Sequence, residues 1–244
     1  MTYCVGIKLK AGLVLLSDTR TNAGVDNIAR FRKMFLFEEP GERVIALMAA
    51  GNLGITQGVI TSISAAARRS KIDPEIESVM TCETLYRAAQ IVGETMREVQ
   101  KRDRADIEAQ GAAADATLIM AGQRKGGDMR LFLIYTAGNF IEAGEDTPYL
   151  QIGEHKYGKP ILDRVIRSET TVDEAIKAAL VSMDSTIRSN LSVGMPLDLA
   201  VIPVNTFHAH TQRIESDHKE YRQISDSWAQ SLRTAFHALP TIKI

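Results

Sequence analysis

Cysteine is scarce. Cys4 and Cys82 are the only two in 244 residues, and they form neither a CxxC pair nor a disulfide framework. In a reducing compartment each reads as a small packed side chain. Charge of one sign is lacking too. The 29 lysines and arginines nearly balance the 30 acidic residues, leaving a formal net charge of -1. A phosphate-binding surface usually needs a basic excess, so nucleic acid is not the expected partner. No apolar run approaches the roughly 20 residues of a membrane-spanning helix. The first twenty residues alternate and carry charge in place of the apolar core of a secretory leader. No membrane partner is expected, and the expected location is the cytoplasm. No glycine-rich phosphate loop follows a strand, and there is no HExxH helix and no GxSxG elbow. His208 and His210 come closest to a metal pair but lack further ligands at useful spacing. No metal or organic cofactor is expected.

What is present is an ordinary globular composition, 45% apolar and 24% charged. The length suits one domain spanning 1–244, with 205–244 as a C-terminal tail. Thr2–Lys10 alternates as a strand, Ala11 and Gly12 form the expected turn, and Leu13–Ser17 is the returning strand. A turn centred there sets Val5 opposite Asp18 and Thr2 near Thr21, and Gly6 is a candidate bulge. The hairpin thus folds SDTRT back beside the N-terminus. After the charged stretch IARFRKMFLFEEPGE comes a second apolar strand, RVIALMAAG, ending at Gly51. Asn52 is placed to N-cap a helix with the stripe Ile55, Val59, Ile60 and Ile63.

A second long helix is expected near Thr81–Arg102, with Leu85, Ala88, Val92, Met96 and Val99 inward. DRADIEAQGAAAD reads as a loop. TLIMAG and RLFLIYT read as strands, and FIEAG as a short further one. A helix near Gly158–Arg167 is followed by a capping box, Thr171 to Glu174, opening a helix to about Asn190. DLAVIPV closes as a strand. In the tail, Ile224, Trp228, Leu232 and Phe236 recur at a helical period. That stripe either packs on its own chain or meets another subunit. Strands in blocks around paired helices indicate an α+β class, with two sheets stacked between helix layers.

The chemistry concentrates at the N-terminus. A threonine hydroxyl is a poor nucleophile without a base. A free α-amine on the same residue supplies one, since its ordinary pKa lies near 8. Thr2 qualifies once Met1 is removed. Asp18 is then positioned to hold a lysine near the threonine oxygen, with Lys33 as the candidate. Gly51, at a strand-to-helix junction, offers an N–H to an oxyanion.

Four segments in order, Thr2-Tyr-Cys-Val-Gly-Ile, Ser-Asp18-Thr-Arg, Arg-Lys33-Met-Phe and Ala-Ala-Gly51-Asn-Leu-Gly, resemble the proteasome β-subunit pattern. The chain most resembles the Anbu family, bacterial proteasome-type peptidases related to HslV. The resemblance implies the four-layer αββα sandwich of N-terminal nucleophile hydrolases. It implies Thr2 as nucleophile and its amine as base. Asp18 and Lys33 would be the supporting pair, Gly51 the oxyanion donor, and Thr21 and Leu53 the borders of a substrate strand. It also places Ser189 and Ser192 near the threonine amine. Here the chain departs from the pattern: Ser189 stands where the family has aspartate, and Glu154 where it has serine.

The implied activity is a threonine peptidase acting on a peptide or amide substrate within a homo-oligomer, either a ring or an open spiral. An ATPase partner is left open. An oligomeric scaffold with a weak or silent site, and an amidase for a small amide, are the alternatives.

Overall fold

The computed structural model describes residues 2–22 and 28–242. In chain order the strands are β1 (Tyr3–Leu9), β2 (Gly12–Asp18), β3 (Arg20–Asn22), β4 (Ile28–Arg30), β5 (Met34–Glu39) and β6 (Arg43–Gly51). Two helices follow, α1 (Leu53–Arg69) and α2 (Leu85–Ala109). Then come β7 (Ala116–Arg124), β8 (Arg130–Ile134), β9 (Phe140–Glu142), β10 (Tyr149–Gly153), α3 (Lys159–Val165) and α4 (Val172–Ser189). The chain closes with β11 (Leu197–Pro203), β12 (His210–Ile214) and α5 (Lys219–His237). One sheet runs β10-β1-β2-β11-β12, another β5-β6-β7-β8-β9, and β3 pairs with β4 alone. The ladders are antiparallel throughout. The class is α+β.

Side-chain alternation sorts each inner strand between two cores. Along β6, Ile45, Leu47 and Ala49 pack with α1 and α2. Val44, Ala46, Met48 and Ala50 pack instead with residues of the other sheet, including Leu13, Leu15 and Ala200. Along β1, Tyr3, Val5, Ile7 and Leu9 pack against α3 and α4. Strands buried on both faces tolerate little but apolar residues, which explains the near-continuous apolar reading of β2 and β6. Each fully buried Leu, Ile or Val contributes about 1.5–3 kcal/mol relative to exposure.

Several local expectations are corrected. The hairpin turns at Lys10-Ala11, and Gly12 is already in β2, paired with Leu9. The register therefore shifts, and Cys4 faces Ser17. The reason is β11: a Cβ at residue 12 would lie 2.5 Å from the Ile202 carbonyl oxygen, so glycine is needed within the ladder rather than at the turn. Gly6 marks no bulge, since its pairing with Leu15 is in unbroken register. It admits the facing sheet instead, because a Cβ there would meet Leu131 Cδ1 at 2.9 Å. The segment 103–109 is the last part of α2, not a loop. Arg104 pairs with Glu108 one turn on, and Ile107 packs on the α1–α2 core. In the tail, β12 extends the first sheet, so part of 205–244 is built into it.

Candidate active site

β1 and β2 bring the two ends of the hairpin together at Thr2 and Asp18. Thr2 is nearly buried, and its carbonyl accepts the Glu154 N–H at 2.7 Å. Gly153 makes this closeness feasible. It has φ +80, and a Cβ there would lie within van der Waals overlap of the Thr2 carbonyl oxygen.

Asp18 is fully buried. Its Oδ1 accepts from Lys33 Nζ at 2.7 Å and from the Tyr3 N–H at 3.1 Å. Its Oδ2 accepts the Gly194 N–H at 3.3 Å. Burial pushes the Asp18 carboxyl above its ordinary value, while Lys33 and the two N–H groups pull it back. Lys33 also donates to the Arg20 carbonyl at 2.5 Å. Only about 5% exposed, it is an immobilised ammonium directly before β5. Arg20 reaches onward to the Leu191 carbonyl at 2.9 Å and lies flat against Gly194, where a Cβ would collide with its guanidinium.

A cavity of about 720 Å³ opens at this point. Thr2, Thr21, Lys33, Gly51 and Leu53 all line it, together with Ala49, Ala112 and Ala113. Asp18 stands behind Lys33 rather than on the wall. Gly51 ends β6 with φ +111, and a Cβ there would strike the Asp115 carbonyl oxygen. The ladder alternation aims its N–H to the β5 side, as with Ala49, whose N–H bonds the Lys33 carbonyl at 3.0 Å. β5 begins only at Met34, opposite Met48, so no strand residue faces Gly51 there. The N-terminus of α1 adjoins, with no acidic side chain in its first turn, and presents the positive end of the helix dipole.

Ser189 is the last residue of α4 and is exposed; Ser192 is half-buried, and its N–H donates to Asn190 Oδ1 at 2.9 Å. Neither lines the cavity. Their loop reaches the site through Gly194 on Asp18 and through Asn190, whose Nδ2 donates to Glu154 Oε2 at 3.1 Å. Met1 lies outside the described residues. Sequence reasoning missed Arg20, Asn190 and Gly194 as parts of the site. Their contacts join positions 36 to 176 residues apart, and no local pattern marks them. Among the described residues no group of His, Cys, Asp or Glu is arranged to hold a metal ion. Both thiols are buried, and burial pushes each above the ordinary cysteine value. No described helix is long and apolar enough to cross a membrane.

The proteasome subunit model matches residues 2–202, and the chain belongs to that family. Within it, the relatives are Anbu proteins. Anbu (ancestral β-subunit) from Yersinia bercovieri is 47% identical, covering 99% of both chains with a TM-score of 0.91. An Anbu (Gly-1) mutant from Hyphomicrobium sp. strain MC1 is 46% identical over all of both chains, with a TM-score of 0.92. The helical assembly of the Anbu complex from Pseudomonas aeruginosa supplies a third, 43% identical over 99% of this chain and 98% of that one, at 0.91. None of the curated proteins compared with the chain matches it.

Proposed function

We propose that the chain is an N-terminal threonine hydrolase, a proteasome-like peptidase or amidase, acting after removal of Met1. The observation that carries this is the shared cavity: Thr2, Lys33 and Gly51 face one space, with Asp18 fixing Lys33 from behind. In this reading Thr2 Oγ attacks an amide carbonyl and passes its proton to its own α-amine. The amine returns the proton to the leaving nitrogen as the C–N bond breaks, leaving an ester on Thr2. Water, activated by the same amine, then hydrolyses the ester. The Lys33 charge lowers the cost of the forming alkoxide. The Gly51 N–H and the α1 terminus stabilise the tetrahedral oxyanion. Thr21 and Leu53 flank the bound substrate segment. The packing of helices on the outer face of each sheet supports the four-layer αββα sandwich of this hydrolase class as one domain. No cofactor enters this mechanism.

The helical assembly of a 43% identical relative supports self-association of this chain as well. Replacing Thr2 by alanine should abolish amide turnover while leaving the oligomer, read by light scattering, unchanged. Turnover that survives in T2A would refute the assignment. A scaffold with a silent site finds its support in the exposed Ser189, away from the cavity. It predicts wild type and T2A to be equally inert.

A further inference from the structure

Asn52 follows Gly51 directly, and all four of its polar groups are engaged. Its backbone N–H donates to the Asp115 carbonyl at 2.7 Å, and its own carbonyl accepts the Thr56 N–H at 3.0 Å. Its side-chain Oδ1 accepts the Ile55 N–H at 3.2 Å as the N-cap of α1. Its Nδ2 donates to the Ala113 carbonyl at 2.9 Å. Ala112, Ala113 and Asp115 form the cavity wall that follows α2, whereas Gly51 and Leu53 belong to the β6–α1 corner. One side chain therefore ties the corner to the wall across 61 residues of sequence.

The wall needs such a tie, because Ala112 and Ala113 lie in neither a helix nor a strand. Gly51 sits at φ +111, a region where glycine has little intrinsic preference to hold one conformation. Its N–H has no strand residue opposite it on the cavity side. The Ala50–Gly51 peptide that carries this N–H is held by the β6–β7 ladder, and what Asn52 adds is the hold on the wall beside it. N-capping alone would be met by serine or aspartate. A serine hydroxyl sits one bond closer to the backbone than the amide nitrogen, and an ionised aspartate has no donor, so asparagine alone of the three supplies both the cap acceptor and the reach to Ala113.

We propose that Asn52 is a positioning residue for the reaction: its Nδ2 bond to Ala113 holds the cavity wall against the corner that carries the Gly51 N–H, and so sets the width of the cavity in which the reacting carbonyl lies. The inference rests on the threonine-nucleophile reading. It assigns to Asn52 a role in the rate of acylation, separate from its role in capping α1.

The probe is a β-lactone. Thr2 Oγ attacks the lactone carbonyl, the ring C–O bond breaks, and the Thr2 proton ends on the released alkoxide. The adduct gains the full mass of the lactone. Acylation passes through the oxyanion that Gly51 is placed to stabilise. Asn52→Ser keeps the cap acceptor on a side chain one bond too short to reach Ala113, while Asn52→Ala loses both contacts. The expected result is an acylation rate constant for N52S lowered between about 10- and 100-fold, the scale of a misplaced catalytic group. The melting temperature of N52S should stay near wild type, and that of N52A should fall.

An N52S rate within twofold of wild type, with Thr2 labelled in both, would overturn the positioning role alone. A lowered melting temperature with an unchanged rate would reduce Asn52 to a cap and overturn it equally. A wild-type protein that takes no adduct on Thr2 would overturn the nucleophile reading and this inference with it.

Discussion

At the scale of single residues, the Asp18–Lys33 pair dominates. Both side chains are buried, and each is the other's ionic partner at 2.7 Å. Lys33→Met strands a buried carboxylate, a change that typically costs about 3–5 kcal/mol. Urea denaturation should show that loss, and Thr2 labelling should fall with it. Asp198 gives a second residue-scale prediction. Burial raises its carboxyl above the ordinary value against the pull of Arg213 and Arg32. The folded chain then keeps this proton to higher pH than the unfolded chain. Its contribution to stability is present at low pH and fades as pH rises from about 4 through the raised value. Asp198→Asn cannot titrate, so its melting temperature should gain on wild type over that rise. A constant difference across pH would contradict this.

The closeness of the hairpin ends at Thr2 and Asp18 was legible because one short turn joins their strands. The N–H of Gly194 on Asp18 was not. It spans 176 positions and exists only because the α4–β11 connection folds over the hairpin end.

At the scale of elements, legibility followed pattern strength. β6, α1, α4 and β11 carry long apolar patterns or explicit caps and fall where the sequence places them. β10 and β12 were missed for a physical reason. Each is five residues, and β12 buries only Ile214, so pairing with a neighbouring strand holds them rather than any periodicity of their own. The tail helix divides. Tyr221 and Ser225 are buried and meet Asp184 of α4, while Leu232 and Phe236 remain exposed in the single chain. The hairpin register was misread because glycine usually signals a turn, whereas Gly12 yields space to β11.

Gly153 performs the same service for Thr2. Gly153→Ala should push β10 away from the N-terminal strand. The expected outcome is a loss of lactone labelling larger than the loss of stability, measured by intact mass beside thermal melting.

At the scale of the whole molecule, two sheets share one apolar interface, and each carries helices on its other face. The cavity of the candidate site lies at one end of this arrangement, where β1, β6 and α1 converge. Composition and strand order were enough to read the α+β class. The meeting of Thr2 with Gly51 was not readable from pattern alone, since it depends on how one sheet is set upon the other. The proposed self-association predicts a solution mass that is a multiple of the 26.8 kDa chain, retained in T2A. A monomer at micromolar concentration would contradict it.

The central claim is that Thr2 carries a free amine and a reactive hydroxyl. Its most direct test is the intact mass of the natively expressed protein, before and after exposure to a β-lactone. Loss of one methionine and gain of one lactone per chain, located on Thr2, is the expected result. Retention of Met1 with no adduct would contradict it, because the Thr2 nitrogen would then be an amide with no basic lone pair.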